Sequence, residues 1–300
     1  MTSHLLVTGG TGFIGQRLCP RLLKAGYDLT VFSRQGDADV RSRCGRVRPL
    51  HQLKDVVDLP DIEGVINLAG EGIADGRWTP KRKQALRDSR IAFTHELMDY
   101  LSRRDQKPPV VVSGSAVGFY GNQGGQPVTE ETAPKDEFTH ELCRDWEAAA
   151  ERAVDWGARV CLSRTGVVAG PQGGFLKRML LPFRLGLGGR LGNGQQYLPW
   201  VHRDDVVSAL IWMLETPDAS GPYNVVSPQP ATNQHFTRTL GTVLHRPTVF
   251  PVPAAVLRMG LGEMSTLLLE GQRAHPERLE AAGFRFEFPQ LEKALQDAVR

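Results

Sequence analysis

The sequence of 300 residues lacks several features that mark special classes of protein. It has no run of 18 apolar residues, so it contains no candidate transmembrane helix. It enters an apolar strand almost at residue 1, and we therefore expect no signal peptide. Its net charge of +3 is small and dispersed, so we expect no nucleic acid as a partner. Because no apolar run could span a bilayer, we also expect no membrane partner. These absences predict a soluble, cytoplasmic protein.

Cysteine is also scarce. The four cysteines are far apart, with no CxxC motif and no Cys/His cluster, which predicts free thiols in a reducing cytosol. The eight histidines are scattered and have no carboxylate cluster beside them. We therefore expect no metal site.

What the chain does contain is an alternation of apolar strands and helices over roughly its first 170 residues. The predicted strands are 5–8, 29–33, 64–70, 110–113 and 159–163, and the two long helices are about 80–104 and 138–156. This alternation predicts a parallel sheet with helices on both faces. A strand and a helix at about 195–226 are expected to return to this first domain, 1–170. The remainder, 171–300, supplies substrate-side segments and a small, mostly helical lobe at about 248–300.

The glycine-rich segment after the first strand indicates a ligand. Gly10-x-Gly12-x-x-Gly15 follows an apolar strand and opens an amphipathic helix. In this context the glycines allow a tight turn, close approach of the backbone to a pyrophosphate and close helix–strand packing. The sequence therefore predicts a dinucleotide at the N-terminus of this helix.

The residues at the end of the second strand indicate which dinucleotide the protein binds. Enzymes that use NAD place Asp or Glu here for the ribose 2′-hydroxyl, whereas this chain has Ser33 and Arg34. A hydroxyl and a guanidinium suit a 2′-phosphate, so we predict NADP(H) as the cofactor. The alternative is that Arg34 is an ordinary solvated charge, and Asp37 and Asp39 weaken the NADP(H) prediction slightly.

Further motifs resemble those of a known family, the extended short-chain dehydrogenase/reductases of the NAD-dependent epimerase/dehydratase superfamily. Within it, the chain is most similar to an atypical branch, the YfcH-like epimerase-family proteins. The motifs that carry the likeness cover nearly the whole chain: residues 8–15, 67–78, 113–121, 138–143, 164–168, 183–189, 200–205 and 271–279.

The resemblance implies a Rossmann-type doubly wound sheet with a smaller C-terminal lobe, bound NADP(H) and a small-molecule substrate that it does not identify. It also implies a possible homodimer formed through the two long helices. The residues expected at the cofactor are Thr8, Gly9, Gly10, Thr11, Gly12, Phe13, Ile14, Gly15, Ser33, Arg34, Leu68, Ala69, Gly70, Glu71, Ser113 and Arg164.

The chain departs from the superfamily in its catalytic dyad. The usual chemistry needs Tyr-x-x-x-Lys on the helix after the serine strand, because the lysine lowers the pKa of the tyrosine. None of the five tyrosines has lysine four residues later. Alignment of the helix puts Thr139 and Cys143 in these places, or Phe138 and Leu142 in the neighbouring register. Neither pair can carry out the standard proton transfer.

Four residues are candidates for the chemistry, each with a plainer alternative. Ser115 matches the superfamily's substrate-orienting serine, or it satisfies loop backbone. Tyr120 offers a phenol, or it is a buried structural tyrosine. His140 carries the missing proton transfer, a role that histidine side chains suit near neutral pH, or it belongs to a solvated helix face. Glu71 accepts a proton or binds a hydroxyl, or it is a loop charge.

Three functions remain open from the sequence. The first is an NADP(H)-dependent oxidoreductase with a non-standard proton donor. The second is a non-catalytic NADP(H)-binding redox sensor or regulator, which the missing dyad favours. The third is a nucleotide-sugar epimerase, which needs the same substitute acid.

Overall fold

The computed structural model describes residues 3–171 and 173–300. Thirteen strands, numbered in chain order, are β1 His4–Thr8, β2 Asp28–Phe32, β3 Arg48–Leu50, β4 Gly64–Asn67, β5 Val110–Ala116, β6 Pro127–Val128, β7 Arg159–Thr165, β8 Val167–Ala169, β9 Tyr197–Leu198, β10 Trp200–His202, β11 Gly221–Val225, β12 Ala231–Thr232 and β13 Arg273–Ala274. No helix of the described residues is both long and apolar enough to cross a lipid bilayer.

The helices that flank or follow these strands are numbered in the same way. They are α1 Gly15–Lys24, α2 Asp37–Cys44, α3 Pro80–Arg87, α4 Phe93–Ser102, α5 Phe138–Glu151, α6 Gly174–Arg184, α7 Arg203–Glu215, α8 Asn233–Leu244, α9 Ala254–Leu261, α10 Thr266–Leu269, α11 Glu277–Ala281 and α12 Leu291–Ala298.

Seven strands form one parallel sheet in the order β11-β7-β5-β4-β1-β2-β3. Apolar side chains alternate along each strand, so each face of the sheet has its own core. Leu5 and Val7 of β1 pack with the α1 and α7 side, and Leu6 packs with α4 on the opposite side. A Rossmann-type doubly wound fold with a helical C-terminal region is therefore confirmed.

The C-terminal part has a core of its own. Leu176 and Phe183 of α6, Phe236 and Leu240 of α8 and Leu295 of α12 are buried together. The short strands β13 and β6 pair in parallel and attach the tail to the segment that follows β5.

Several predicted elements differ from the structure in their bounds. The predicted strands 110–113 and 159–163 extend to Ala116 and Thr165. The predicted helix 80–104 is divided, because a π-helical turn, Asp88–Ala92, separates α3 from α4. The predicted helix 138–156 ends as an α-helix at Glu151 and continues as a 3₁₀ helix to Trp156. The predicted strand 64–70 stops at Asn67, where the chain turns away from the sheet. Apolar periodicity does not resolve such changes, because the same side chains stay buried.

Candidate functional site

A cavity of about 720 Å³ lies at the carboxyl ends of β1, β2 and β4. The strand order reverses at β1 and β4, and open α/β sheets bind their ligands at such a point. The residues that line it are Gly9, Thr11, Gly12, Phe32, Ser33, Arg34, Gln35, Leu53, Leu68, Ala69, Gly70, Glu71, Ala85, Asp88, Ser89, Ala92, Phe93 and Glu96.

The turn between β1 and α1 forms one wall of this cavity. Gly9 has φ +69°, and a Cβ there would lie 2.4 Å from the Leu68 carbonyl oxygen, so only glycine fits. No side chain caps α1, and its first turn has no acidic residue. The backbone N–H groups at this helix end are therefore suited to an anion such as a pyrophosphate.

Several residues predicted at the cofactor shape this turn without lining the cavity. Gly15 packs so closely that a Cβ would stand 2.4 Å from the carbonyl oxygens of Gly9 and Gly10. Phe13 points the other way, since its ring lies against Gly173 and under the Arg203 guanidinium, 4.7 Å from the ring centre. Gly10 and Ile14 likewise pack against the core below the turn.

Thr8 and Ser113 also lie behind the cavity. The Thr8 hydroxyl donates to Asn67 Oδ1 at 2.6 Å and accepts the Ala69 N–H at 3.2 Å. Asn67 Nδ2 donates to Thr94 at 2.9 Å and lies 3.4 Å from the Ser113 hydroxyl. This buried network holds the ends of β1 and β4 together, and it thereby positions the segment 68–71 that lines the cavity.

Ser33 and Arg34 lie where β2 ends, on the same cavity. The Ser33 hydroxyl accepts the Gln35 N–H at 3.1 Å, and in the described chain no hydrogen-bond partner occupies the Arg34 guanidinium. Asp37 is held by His51 Nε2 at 2.8 Å and by Arg41 at 3.1 Å. The nearest acidic residue in sequence thus has other partners, and it does not line the cavity.

The opposite wall was not found by the sequence analysis. Asp88, Ser89 and Ala92 belong to the π-helical turn, and Phe93 begins α4. A π-helical turn is frequent at functional sites because its wider backbone re-aims side chains. Periodicity gave no signal for it, since these four residues continue the pattern of a regular helix.

Glu71 lines the cavity where the chain continues past the end of β4. Its carboxylate forms an ion pair with Arg82, and its carbonyl oxygen accepts a hydrogen bond from Arg90 Nη2 at 2.8 Å. Arg90 is half-buried over the Trp146 ring, 5.2 Å from the ring centre, and partial removal from water lowers the pKa of its guanidinium. Glu71 is therefore more than a free loop charge: two arginines hold it at the edge of the cavity.

Ser115 and Arg164 meet on a third residue, Glu147 of α5. Ser115 Oγ donates to Glu147 Oε1 at 2.6 Å, and Arg164 binds both carboxylate oxygens at 2.8 Å. The two charged side chains are only 6% and 7% exposed. Arg164 is thus engaged in a buried ion pair and, like Ser115, does not line the cavity.

Tyr120 is joined to the same network and is fully buried. Its hydroxyl donates to Asn224 Oδ1 at 2.7 Å and accepts from Arg164 Nη1 at 3.0 Å. Burial raises the pKa of Tyr120 to about 12. These contacts are those of a structural tyrosine, so we assign it no catalytic role.

The helix position expected for the missing lysine holds a neutral thiol. Cys143 contacts the Ser115 hydroxyl, and burial raises the pKa of the thiol to about 12. Thr139, one turn earlier, lies against Gly118 on the same side of α5. The register with Thr139 and Cys143 therefore faces Ser115, and this pair offers no group that titrates near neutral pH.

His140 lies next to this face of the helix and is also nearly buried. Its Nδ1 lies 2.7 Å from the Phe119 carbonyl oxygen, which can only accept, so Nδ1 carries the proton and Nε2 is the ring's acceptor. His140 thus does not lie on a solvated helix face, which was its plainer alternative.

His202 has the positioning role that the sequence predicts. Its Nδ1 accepts the Asp204 N–H at 3.2 Å and caps α7. Burial lowers the pKa of His202, so the ring is held in its neutral, accepting form.

The strand order, the glycine-rich turn and the cavity define a Rossmann-type nucleotide-binding α/β protein. A model of the NAD dependent epimerase/dehydratase family matches residues 5–227, and a domain of unknown function, DUF1731, matches residues 252–298. The chain belongs to the NAD dependent epimerase/dehydratase family, as the motifs indicated, and this membership supports a nicotinamide dinucleotide as its cofactor.

Two relatives similar over nearly their full length are named epimerase family proteins. YfhF of Bacillus subtilis is 37% identical over 298 residues, which cover 99% of this chain and 98% of YfhF. MT2273 of Mycobacterium tuberculosis is 39% identical over 290 residues, with 96% and 95% covered. The structure of human epimerase family protein SDR39U1 (isoform 2) with NADPH superimposes with a TM-score of 0.89 at 33% identity, covering 98% of both chains.

Proposed function

We propose that this protein is a cytoplasmic NADP(H)-dependent oxidoreductase that acts on a small carbonyl or hydroxyl compound. The observation that carries the proposal is the cavity, which has the glycine-rich turn on one side and Ser33 with Arg34 at the end of β2. The similar human protein was solved with NADPH. Free cysteines throughout the described chain suit a reducing compartment.

Arg34 supplies the preference for the 2′-phosphate in this proposal. We expect Arg34→Asp to weaken NADPH binding about 10- to 100-fold, because hydrogen bonds between charged groups contribute about 1.5–3 kcal/mol. Binding of NADH should change little or improve. Titration that follows nicotinamide fluorescence measures both affinities.

Arg43→Asp is the matched control, because Arg43 is exposed on α2 and does not line the cavity. It should leave both affinities near those of the unchanged protein. If Arg34→Asp and Arg43→Asp had equal effects, general charge and not a local contact would explain the preference. If neither dinucleotide bound the unchanged protein, the proposed function would be wrong.

Bound NADP(H) would supply or accept the hydride, and the protein must then hold the substrate and move a proton. The Ser115 hydroxyl has already donated its hydrogen to Glu147. Towards a ligand it can therefore only accept, which suits the O–H of a hydroxyl substrate. His140 is the best remaining candidate for the proton, since its Nδ1 is fixed and Nε2 is the acceptor.

His140→Asn tests this assignment. The asparagine amide can keep the hydrogen bond to the Phe119 carbonyl, but the variant lacks the Nε2 acceptor. We expect turnover to fall about 10²- to 10⁴-fold, the range for loss of a general acid or base, with NADPH affinity unchanged. The measurement follows NADPH at its absorbance maximum, as NADP⁺ reduction across a panel of small alcohols and as NADPH oxidation with the corresponding aldehydes and ketones.

The outcomes of this experiment separate the candidates. Unchanged turnover in His140→Asn would remove the residue from the mechanism. Tight NADPH binding without turnover on any compound of the panel would favour the redox sensor or regulator. The homodimer through α3, α4 and α5 stays a prediction.

A further inference from the structure

A second surface, whose residues do not line the cavity, is built from two stretches without acidic side chains. Neither residues 156–203 nor residues 219–262 contain aspartate or glutamate. The structure brings parts of them together where α6 ends and where the chain leaves α8. Arg246 Nε donates to the Arg184 carbonyl oxygen at 2.8 Å, and the Phe250 N–H donates to the Gly188 carbonyl oxygen at 3.4 Å.

Large apolar side chains project from this junction. We call them the apolar ridge: Leu181, Leu185, Leu187, Val249 and Phe250. Each exposes more than half of its surface, from 54% to 68%. Single exposed apolar residues are ordinary, but a contiguous group on one face marks an interaction surface.

Basic side chains flank the apolar ridge. A groove of about 570 Å³ at the end of α8 is lined by Arg238, His245 and Arg246, and Arg184 lies on the α6 side. Within the described part of the chain, the guanidinium groups of Arg184 and Arg246 hydrogen-bond only to backbone carbonyls. Their positive charges are therefore not neutralised by carboxylates.

This combination of positive charge and exposed apolar area favours one of three possible partners over the other two. A second copy of the chain would present the same positive charges, so that two such faces repel each other. Nucleic acid would match the charge, but it offers nothing to five projecting apolar side chains. An anionic lipid surface matches both, because phosphates attract the basic groups and apolar side chains enter the headgroup boundary.

We propose that the apolar ridge and its basic flank dock this protein on an anionic lipid surface. The association is peripheral, in agreement with the absence of a membrane-spanning helix among the described residues. It revises the sequence-based expectation of no membrane partner. That expectation used the absence of an apolar run long enough to span a bilayer, and a surface assembled from separate segments does not need such a run.

The test is cosedimentation of the full chain with vesicles of phosphatidylcholine alone or mixed with phosphatidylglycerol. We expect binding to the mixed vesicles only, weakened by added salt. Leu185→Ser/Phe250→Ser should weaken it at least about tenfold, since each side chain loses its transfer to the lipid boundary. Arg238→Glu should weaken it about fivefold or more, because each basic residue near such a surface contributes about that factor.

Val154→Ser is the control, because Val154 is 57% exposed on the 3₁₀ helix after α5. It should bind like the unchanged protein, and circular dichroism should show that every variant is folded. Equal binding to both vesicle types, or to neither, would overturn the proposal. So would binding to a short DNA duplex that outcompetes the vesicles, or a dimer in sedimentation that Leu185→Ser/Phe250→Ser dissociates.

Discussion

Gly12→Ala is expected to weaken dinucleotide binding severely and to leave the fold intact. Gly12 lines the cavity, and an added Cβ would meet only the Gly9 carbonyl oxygen, at 3.1 Å. The turn can yield by a few tenths of an ångström, but the methyl group would stand where the pyrophosphate must approach the backbone. We expect NADPH affinity to fall at least about 100-fold and the unfolding free energy to fall by only about 1 kcal/mol.

Two further alanine variants serve as controls for this result. Gly260→Ala on α9 has nothing within 4 Å of its Cβ, so it should bind NADPH like the unchanged protein. Gly15→Ala places its Cβ 2.4 Å from two backbone oxygens and should destabilise the fold itself. NADPH titration and urea unfolding of the three variants separate these effects. Near-normal binding by Gly12→Ala would mean that the dinucleotide does not lie on this turn.

Arg164→Met should cause the largest loss of stability of any single substitution proposed. It leaves the Glu147 carboxylate buried with only the Ser115 hydroxyl as a hydrogen-bond donor. Removing one partner of a buried ion pair costs about 3–5 kcal/mol, because the remaining charge is out of water and uncompensated. Urea unfolding at neutral pH measures the loss.

The exposed pair of Arg152 and Asp99 provides the control. These side chains are 42% and 44% exposed, so Arg152→Met should cost less than about 1 kcal/mol. The double variant Glu147→Gln/Arg164→Met should recover part of the stability, because no buried charge is left. Equal small losses for Arg164→Met and Arg152→Met would show that water reaches the buried pair in solution.

Much of one side of the cavity could be predicted because it comes from short contiguous segments. Gly9 to Gly12, Ser33 with Arg34, and Leu68 to Glu71 each follow a strand end. Parallel strands end at one edge of the sheet, so these three segments converge as soon as the alternation of strands and helices is recognised. The π-helical turn at Asp88–Ala92 was not predicted, because its five residues include none that is buried and so add little to the apolar pattern from which a continuous helix was inferred.

By itself the sequence determined the parallel sheet, the glycine-rich turn, the absence of Tyr-x-x-x-Lys and Ser33 with Arg34 at the end of the second strand. All of these depend on residues close together in the chain. Only the tertiary structure decided which polar groups are buried. Arg164 on β7 reaches Glu147 on α5, and Tyr120 reaches Asn224, 104 residues away. Such pairs form because a charge or hydroxyl removed from water must find a partner in the folded chain, and that partner is chosen by packing, not by local spacing.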